Sequence, residues 1–186
     1  MEQQYLREIF DKHQTDKGAL MHCYDGMYAD VFTRVPVIKR LLEVGILRGQ
    51  SIASWQEVFP DAFVVGTDIK IRDDIVPAAA SIPKVIADSM SPSVAGLVGS
   101  GYDVIIDDGD HRPEAQWATF QNLAKCWTQA YVIEDIVGIG HTEALRDKIV
   151  GAGYQDVSIY KSVKSAEIEL SGIKTNITFH CIVVYK

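Results

Sequence analysis

Five short apolar runs in this chain each finish at an acidic residue, and that repetition limits the fold more than any other feature. The runs are Arg40–Val44, Ala62–Thr67, Lys84–Ala87, Tyr102–Ile106 and Ala130–Ile133; the acids at their ends are Glu43, Asp68, Asp88, the pair Asp107-Asp108 and the pair Glu134-Asp135. Read as strands, they alternate with helix-like segments at Gln50–Phe59, about Asp73–Ala80, about Pro92–Val98, from Pro113 onward, and at Thr142–Gly151. Pro113 suits a first helical turn, where a missing N–H costs nothing. Trp117, Phe120, Ala124 and Trp127 follow at helical spacing as a buried stripe, and with Trp55 the tryptophans read as core. Gly153 reads as a helix stop, and Asp156–Tyr160 and Phe179–Tyr185 close the chain as two further strands. Strands alternating with helices specify an α/β fold with a parallel sheet covered on both faces. Ligands of such sheets bind beyond the carboxyl ends of the strands, so the five acidic ends should share one rim.

Composition narrows the function classes. The chain has 186 residues, enough for one domain with a sizeable core, and a net charge of −7 without any run of Lys or Arg. A nucleic-acid partner is therefore not expected, because phosphate contacts need a basic face. No apolar stretch approaches the roughly 18 residues of a membrane helix, and the first residues lack the charged flank and apolar core of a signal peptide. Cys23, Cys126 and Cys181 are far apart with no CxxC, which fits reduced thiols and a cytoplasmic location.

The first half of the rim reads as a nucleoside site. In LLEVGILRGQS, Gly45 and Gly49 fall in the turn between the first strand and its helix, where glycine lets backbone approach a ligand closely. Asp68 ends the next strand, the place of an acid that receives ribose hydroxyls, at close to the ~20-residue spacing of such sites. A glycine turn that merely packs helix on sheet is the bland alternative. The pattern, Glu-x-Gly-x-x-x-Gly, lacks the GxGxxG of dinucleotide sites.

The second half is YDVIIDDGDHRP, in which a buried strand discharges Asp107, Asp108, Asp110 and His111 next to Glu134-Asp135 on the neighbouring strand. Carboxylates crowded on one rim, with no Lys or Arg close by in sequence to match them, call for a hard cation: Mg²⁺, with Mn²⁺ or Ca²⁺ as alternatives. The competing reading has Asp110 capping the helix at Pro113 and the other acids solvated. Beside a cation, His111 reads as a general base that takes a hydroxyl proton.

On these residues the chain resembles the class I S-adenosylmethionine-dependent methyltransferases, over about residues 37–186. The resemblance implies a single Rossmann-like doubly wound α/β domain whose mostly parallel seven-stranded sheet has an antiparallel last strand. It also implies that Glu43, Gly45 and Gly49 hold the methionine end of S-adenosylmethionine, Asp68 its ribose, Asp88 the adenine side, with Asp107 beside the donor. IDDGDH followed by a strand ending in Glu-Asp, with TDKGALMHCYDGMY at Thr15–Tyr28, narrows the likeness to the metal-dependent macrocin/mycinamicin-type sugar O-methyltransferases. That likeness implies Mg²⁺ on Asp108, Glu134 and Asp135, and His111 as base. Lys17, His22, Tyr24 and Tyr28 would belong to an N-terminal arm, residues 1–36, that covers the donor. The acceptor implied is a small-molecule hydroxyl, with homo-oligomer assembly by analogy. A catechol-type enzyme and a non-catalytic donor-binding module are the alternatives; the former shows an Asp-Asn pair where this chain has Glu134-Asp135. The Lys161–Asn176 segment lies where a substrate loop or hairpin would fall and carries no recognisable pattern.

Overall fold

A computed structural model of the chain describes residues 1–19, 21–170 and 173–186, the side chains of 163–177 apart. Seven strands, β1 (Arg40–Val44), β2 (Phe63–Asp68), β3 (Lys84–Ile86), β4 (Tyr102–Asp107), β5 (Trp127–Val137), β6 (Asp156–Leu170) and β7 (Ile173–Tyr185), form one sheet in the order β3-β2-β1-β4-β5-β7-β6. The first five pair in parallel; β7 runs antiparallel to β5, and β6 to β7. The order reverses between β1 and β4, which opens a crevice at their carboxyl ends.

Val104, Ile105 and Ile106 of β4 are fully buried because both faces of the sheet are covered. Alternate residues feed opposite cores. Val104 and Ile106 meet α1 (Gln3–His13), α2 (Asp25–Arg34) and α3 (Gln50–Val58). Ile105 faces α4 (Val94–Val98), α5 (Pro113–Leu123) and α6 (Ile139–Gly151). Among the described residues, no helix is long and apolar enough to cross a membrane.

Three expectations change. The helix over Asp73–Ala80 shrinks to a single 3₁₀ turn at Pro77–Ala79, because Pro77 holds Val76 in extended backbone (ψ 142°). Trp127 does not continue the stripe of α5: that helix ends at Leu123, and Trp127 opens β5, paired with Tyr102. Trp117 is only half-buried, whereas Trp55 and Trp127 are core. The last two strands run far past Tyr160 and start well before Phe179, so the backbone of the Lys161–Asn176 segment belongs to a long hairpin. Most side chains of that segment lie outside the described residues.

One face of each N-terminal helix packs into the core. Leu6, Ile9 and Phe10 of α1 and Met27, Tyr28, Val31 and Phe32 of α2 are buried. Their rings surround Trp55, with Phe10 at 5.2 Å edge-on, Tyr28 at 4.7 Å and Phe32 at 5.9 Å. Removing a ring from such a cluster costs both its transfer energy and a cavity. Phe10→Ala should therefore lose about 3–5 kcal/mol in urea unfolding. A loss near that of a surface substitution would show that α1 is not part of the folded core.

Candidate active site

The crevice is a cleft of about 680 Å³ walled by the turns after β1, β2, β3 and β4 and by Gln14, Thr15 and Asp16. Gly45 sits at φ +80°, and a Cβ there would lie 2.1 Å from the carbonyl oxygen of Asp108; Gly49, at φ +83°, would meet Ala79 at 2.8 Å. Both glycines are thus demanded by backbone direction and by space. Asp68 lines the cleft, and its Oδ2 accepts the N–H groups of Ile46 (2.9 Å) and Leu47 (3.2 Å), which stiffens the glycine loop from the neighbouring strand. Asp88 lines the far wall, exposed, with Oδ1 accepting the Met90 N–H at 2.9 Å.

Glu43 is placed differently from its expected contact with the donor. It is buried beneath the loop, accepts the Ser51 hydroxyl at 2.6 Å, and stands 3.4 Å from Lys17 Nζ. Burial pushes its carboxyl up, Lys17 partly opposes this, and the outcome is about 7. Asp107 also lies outside the cleft. Its oxygens are 3.4 Å from the Gly109 N–H and from the Tyr131 hydroxyl, and burial raises it to about 7.

The acids after β4 and β5 gather through a distortion of the sheet. Pairing of β5 with β7 slips between Ile133 and Ile136, and Asp135 adopts φ +54°. Adjacent residues of a regular strand face opposite sides; this bulge turns Glu134 and Asp135 toward the same N-terminal segment. Glu134 accepts Lys17 Nζ at 2.5 Å on one oxygen and the Tyr28 hydroxyl on the other. Asp135 accepts the Tyr24 hydroxyl, and its second oxygen is 3.4 Å from His22 Nε2. Asp108 accepts Lys17 Nζ at 2.6 Å through Oδ2, while its Oδ1 is 3.3 Å from His111 Nε2. Lys17, Tyr24 and Tyr28 therefore meet the acids from behind and do not line the cleft.

The positive charge missing from the local sequence is thus Lys17, fully buried and 91 residues from Asp108. A second cation is nearer: Arg112 forks onto Asp110 at 2.9 and 2.5 Å, and its own N–H binds the same carboxylate at 3.0 Å. Burial alone would neutralise Lys17, but Asp108, Glu134 and Glu43 overcome it and hold the ammonium charged. One ammonium cannot satisfy both acids equally. Burial raises both, yet Lys17 and His111 bring Asp108 down to about 2, whereas Glu134, further crowded by Asp108 and Asp135, stays well above the usual carboxylate range. Burial, then Asp108, raises Asp135 as well. His111 is raised chiefly by its hydrogen bond to Asp108.

Ligand atoms of Asp108, His111 and Asp135 lie within 4.8 Å of one another, as do those of Asp16, His22 and Asp135. Oxygen donors with a net negative surplus around one ammonium fit a divalent cation, and imidazole nitrogen extends the choice from Mg²⁺ toward Mn²⁺. Of the three expected ligands, Asp108 and Asp135 converge, and Glu134 is turned to Lys17 and Tyr28. Sequence reading missed Gln14, Thr15 and Asp16 as cleft residues, although two of them belong to the TDKG segment it singled out.

Sheet order, glycine turn and acidic rim together define the fold of the class I S-adenosylmethionine-dependent methyltransferases. Among solved structures, the chain is similar to the MycE methyltransferase of the mycinamycin biosynthetic pathway, in complex with Mg, SAH and mycinamycin VI. The TM-score is 0.61 at 24% identity, over 70% of this chain and 36% of that one. It is also similar to the O-methyltransferase TomG from Streptomyces achromogenes, involved in tomaymycin synthesis, in complex with SAM (0.56, 12%, covering 98% and 88%). A third is an O-methyltransferase from Bacillus cereus in complex with SAH (0.56, 13%, covering 100% and 92%). The chain spans about a third of the length of the MycE structures. No protein-family model and no curated protein matches it.

Two substitutions check this geometry. Gly45→Ala should cost about 2 kcal/mol or more in urea unfolding, from left-handed backbone plus the clash with Asp108; a neutral result would mean that the loop is not held as described. Asp107 titrates near 7 in the native state and near 3.8 unfolded. Between those values the native state keeps a proton that the unfolded state has released, so this group's contribution to stability falls as pH rises. Asp107→Asn should match wild type near pH 4 and exceed it at pH 8 by about 1–3 kcal/mol. Parallel pH profiles for the two proteins would contradict the assignment.

Proposed function

We propose that this chain is an S-adenosylmethionine-dependent O-methyltransferase that acts, with a divalent cation, on a hydroxyl of a small molecule, in the first instance a sugar of a natural product. The observation that carries the reading is one cleft lined together by Gly45, Asp68, Asp88, Asp108 and His111, with the Gly45 turn packed directly against the Asp108 backbone. The glycine turn with Asp68 and Asp88 suits a nucleoside donor, and the acid–imidazole pair of Asp108 and His111 stands next to it. Complexes of similar folds with SAM or SAH, and with Mg in MycE, support it.

The roles follow from the side chains. The Gly45 turn lets the donor lie against backbone, and Asp68 keeps that turn rigid while its flank faces the ribose position. When bound, the sulfonium donor supplies an already activated methyl group, so the chain's main task is alignment for displacement. His111 accepts the proton of the acceptor hydroxyl, and Asp108 at 3.3 Å and Asp135 at 4.0 Å stabilise the imidazolium that results. Asp108 and Asp135 would hold Mg²⁺ or Mn²⁺, which supplies charge stabilisation to a developing alkoxide. The acidic balance and the absence of a Lys/Arg run favour a small neutral acceptor over nucleic acid.

Calorimetric titration of S-adenosylmethionine and S-adenosylhomocysteine should give micromolar-range binding to wild type and to Asp108→Ala, with a separate Mg²⁺ signal that Asp108→Ala loses. In a hydroxyl-acceptor assay, His111→Ala should lose about 10²–10⁴-fold in turnover and keep donor binding. Full turnover in that variant would remove His111 from its role, and no nucleoside binding under any condition would end the methyltransferase reading.

A further inference from the structure

The geometry points to Lys17 as an internal counter-cation that holds the carboxylate cluster assembled without metal and competes with a divalent cation for Asp108 and Glu134. This rests on the cation-binding part of the proposed function and goes beyond it, because it assigns to the N-terminal segment a direct effect on metal affinity.

The position of the ammonium is the first ground. Nζ lies 2.6 Å from Asp108 Oδ2, 2.5 Å from Glu134 Oε2 and 3.4 Å from Glu43 Oε1. Two of the three N–H donors of the ammonium go to Asp108 and Glu134, and Glu43 Oε1 stands at ion-pair distance without a hydrogen-bond partner of its own. An ion gripped jointly by Asp108 and Glu134 would stand where Nζ stands. What remains open to a cation is the other side of Asp108, where Oδ1 faces His111 and Asp135. A divalent ion there has a like charge as its neighbour across a single carboxylate, in surroundings that screen little.

The second ground is how firmly the lysine is placed. Its side chain is fully buried. Its backbone is knitted into a tight turn: the Lys17 carbonyl accepts the Tyr24 N–H at 2.8 Å, and the His22 N–H binds the Asp16 carbonyl at 2.8 Å. The same turn aims the Tyr24 and Tyr28 hydroxyls at Asp135 and Glu134. The makeup of the cluster is the third ground. Glu43, Asp108, Glu134 and Asp135 are four acidic side chains gathered there, and Lys17 is the ammonium buried among them. Without it, the metal-free cluster would leave Asp108 without its ammonium partner, the kind of loss from a buried pair that destabilises proteins strongly.

Mg²⁺ and Mn²⁺ binding, by calorimetry and by the electron paramagnetic resonance of free Mn²⁺, with neither methyl donor nor acceptor present, tests this on wild type, Lys17→Ala and Lys17→Ala/Glu134→Gln. Lys17→Ala should melt well below wild type in chelator, regain most of that loss in saturating Mg²⁺, and bind either cation at least tenfold more tightly than wild type. The double variant, with one acid neutralised, should melt closer to wild type in chelator and lose the gain in affinity. Should Lys17→Ala fold only when the cation is supplied, the substitution of metal for ammonium is supported directly. Wild-type or weaker affinity in a folded Lys17→Ala overturns the competition and leaves the metal site standing. Absence of cation binding in all three proteins overturns the metal reading itself. Failure of both variants to fold, with or without cation, overturns the proposal too, since it would give the ammonium a role that no divalent ion can take over.

Discussion

The acidic cluster after β4 and β5 depends on one buried ammonium. Lys17 reaches from the turn after α1 to the ends of β4 and β5, so the N-terminal segment and the sheet cannot separate without leaving charge unpaired in a dry environment. Hydrophobic burial attaches α1 and α2 to Trp55, but it does not set their angle: apolar contact is non-directional. Lys17 on Asp108 and Glu134, with the hydroxyls of Tyr24 and Tyr28 on Asp135 and Glu134, supplies the direction. The Ser162 hydroxyl bound to the His22 carbonyl at 2.7 Å adds a third tie, from β6.

The backbone at this end of the sheet is unusual where the chemistry is placed. Left-handed φ values occur at Gly45, Leu47 and Gly49 in the loop after β1, at Cys23 in the turn that carries Lys17, and at Asp135 in the bulge of β5. Glycine adopts that region freely, whereas Leu47, Cys23 and Asp135 do so at a cost. Such conformations persist when surroundings over-determine them, and they concentrate at functional sites. Here the surroundings are identifiable: Asp68 holds the Leu47 N–H, Gly18 accepts the Cys23 N–H, and Tyr24 holds Asp135.

What the sequence made legible was periodic or local. Strand runs interrupted by helices, the glycine turn and the acids at strand ends all lie within a few residues of the features that define them, and their alternation fixes parallel pairing, not the order of the strands. The antiparallel last strand came with the family resemblance, and β7 runs antiparallel to both β5 and β6. Non-local facts were not legible. The partner of Glu134 is 117 residues away, so a cluster lacking nearby Lys or Arg looked like a site needing an external cation alone. Trp127 fell three residues after Ala124, in line with the apparent helix stripe, by coincidence, and periodicity could not reveal that α5 stops at Leu123. The burial of α1 was visible in principle: Leu6, Ile9 and Phe10 have the i, i+3, i+4 spacing of a core-facing helix. Attention to the polar residues between them made the segment read as an arm.

The cleft wall combines two kinds of physics. The turn at Gly45 is backbone geometry fixed by its N–H bonds to Asp68 and by its packing against the Asp108 backbone. Beside it stands a set of coupled carboxylates, an ammonium and imidazoles whose charges depend on one another. Asp108 is held low because Lys17 and His111 face it, and Glu134 is held high because burial and two neighbouring acids outweigh the same Lys17. A charge altered anywhere in the cluster redistributes protons among all its members, so the cluster's chemistry can be tuned without changing the glycine turn's backbone conformation. The N-terminal segment is the element through which that tuning acts, because it contributes Lys17, His22, Tyr24 and Tyr28 to the cluster and, among the described residues, Gln14, Thr15 and Asp16 to the cleft wall.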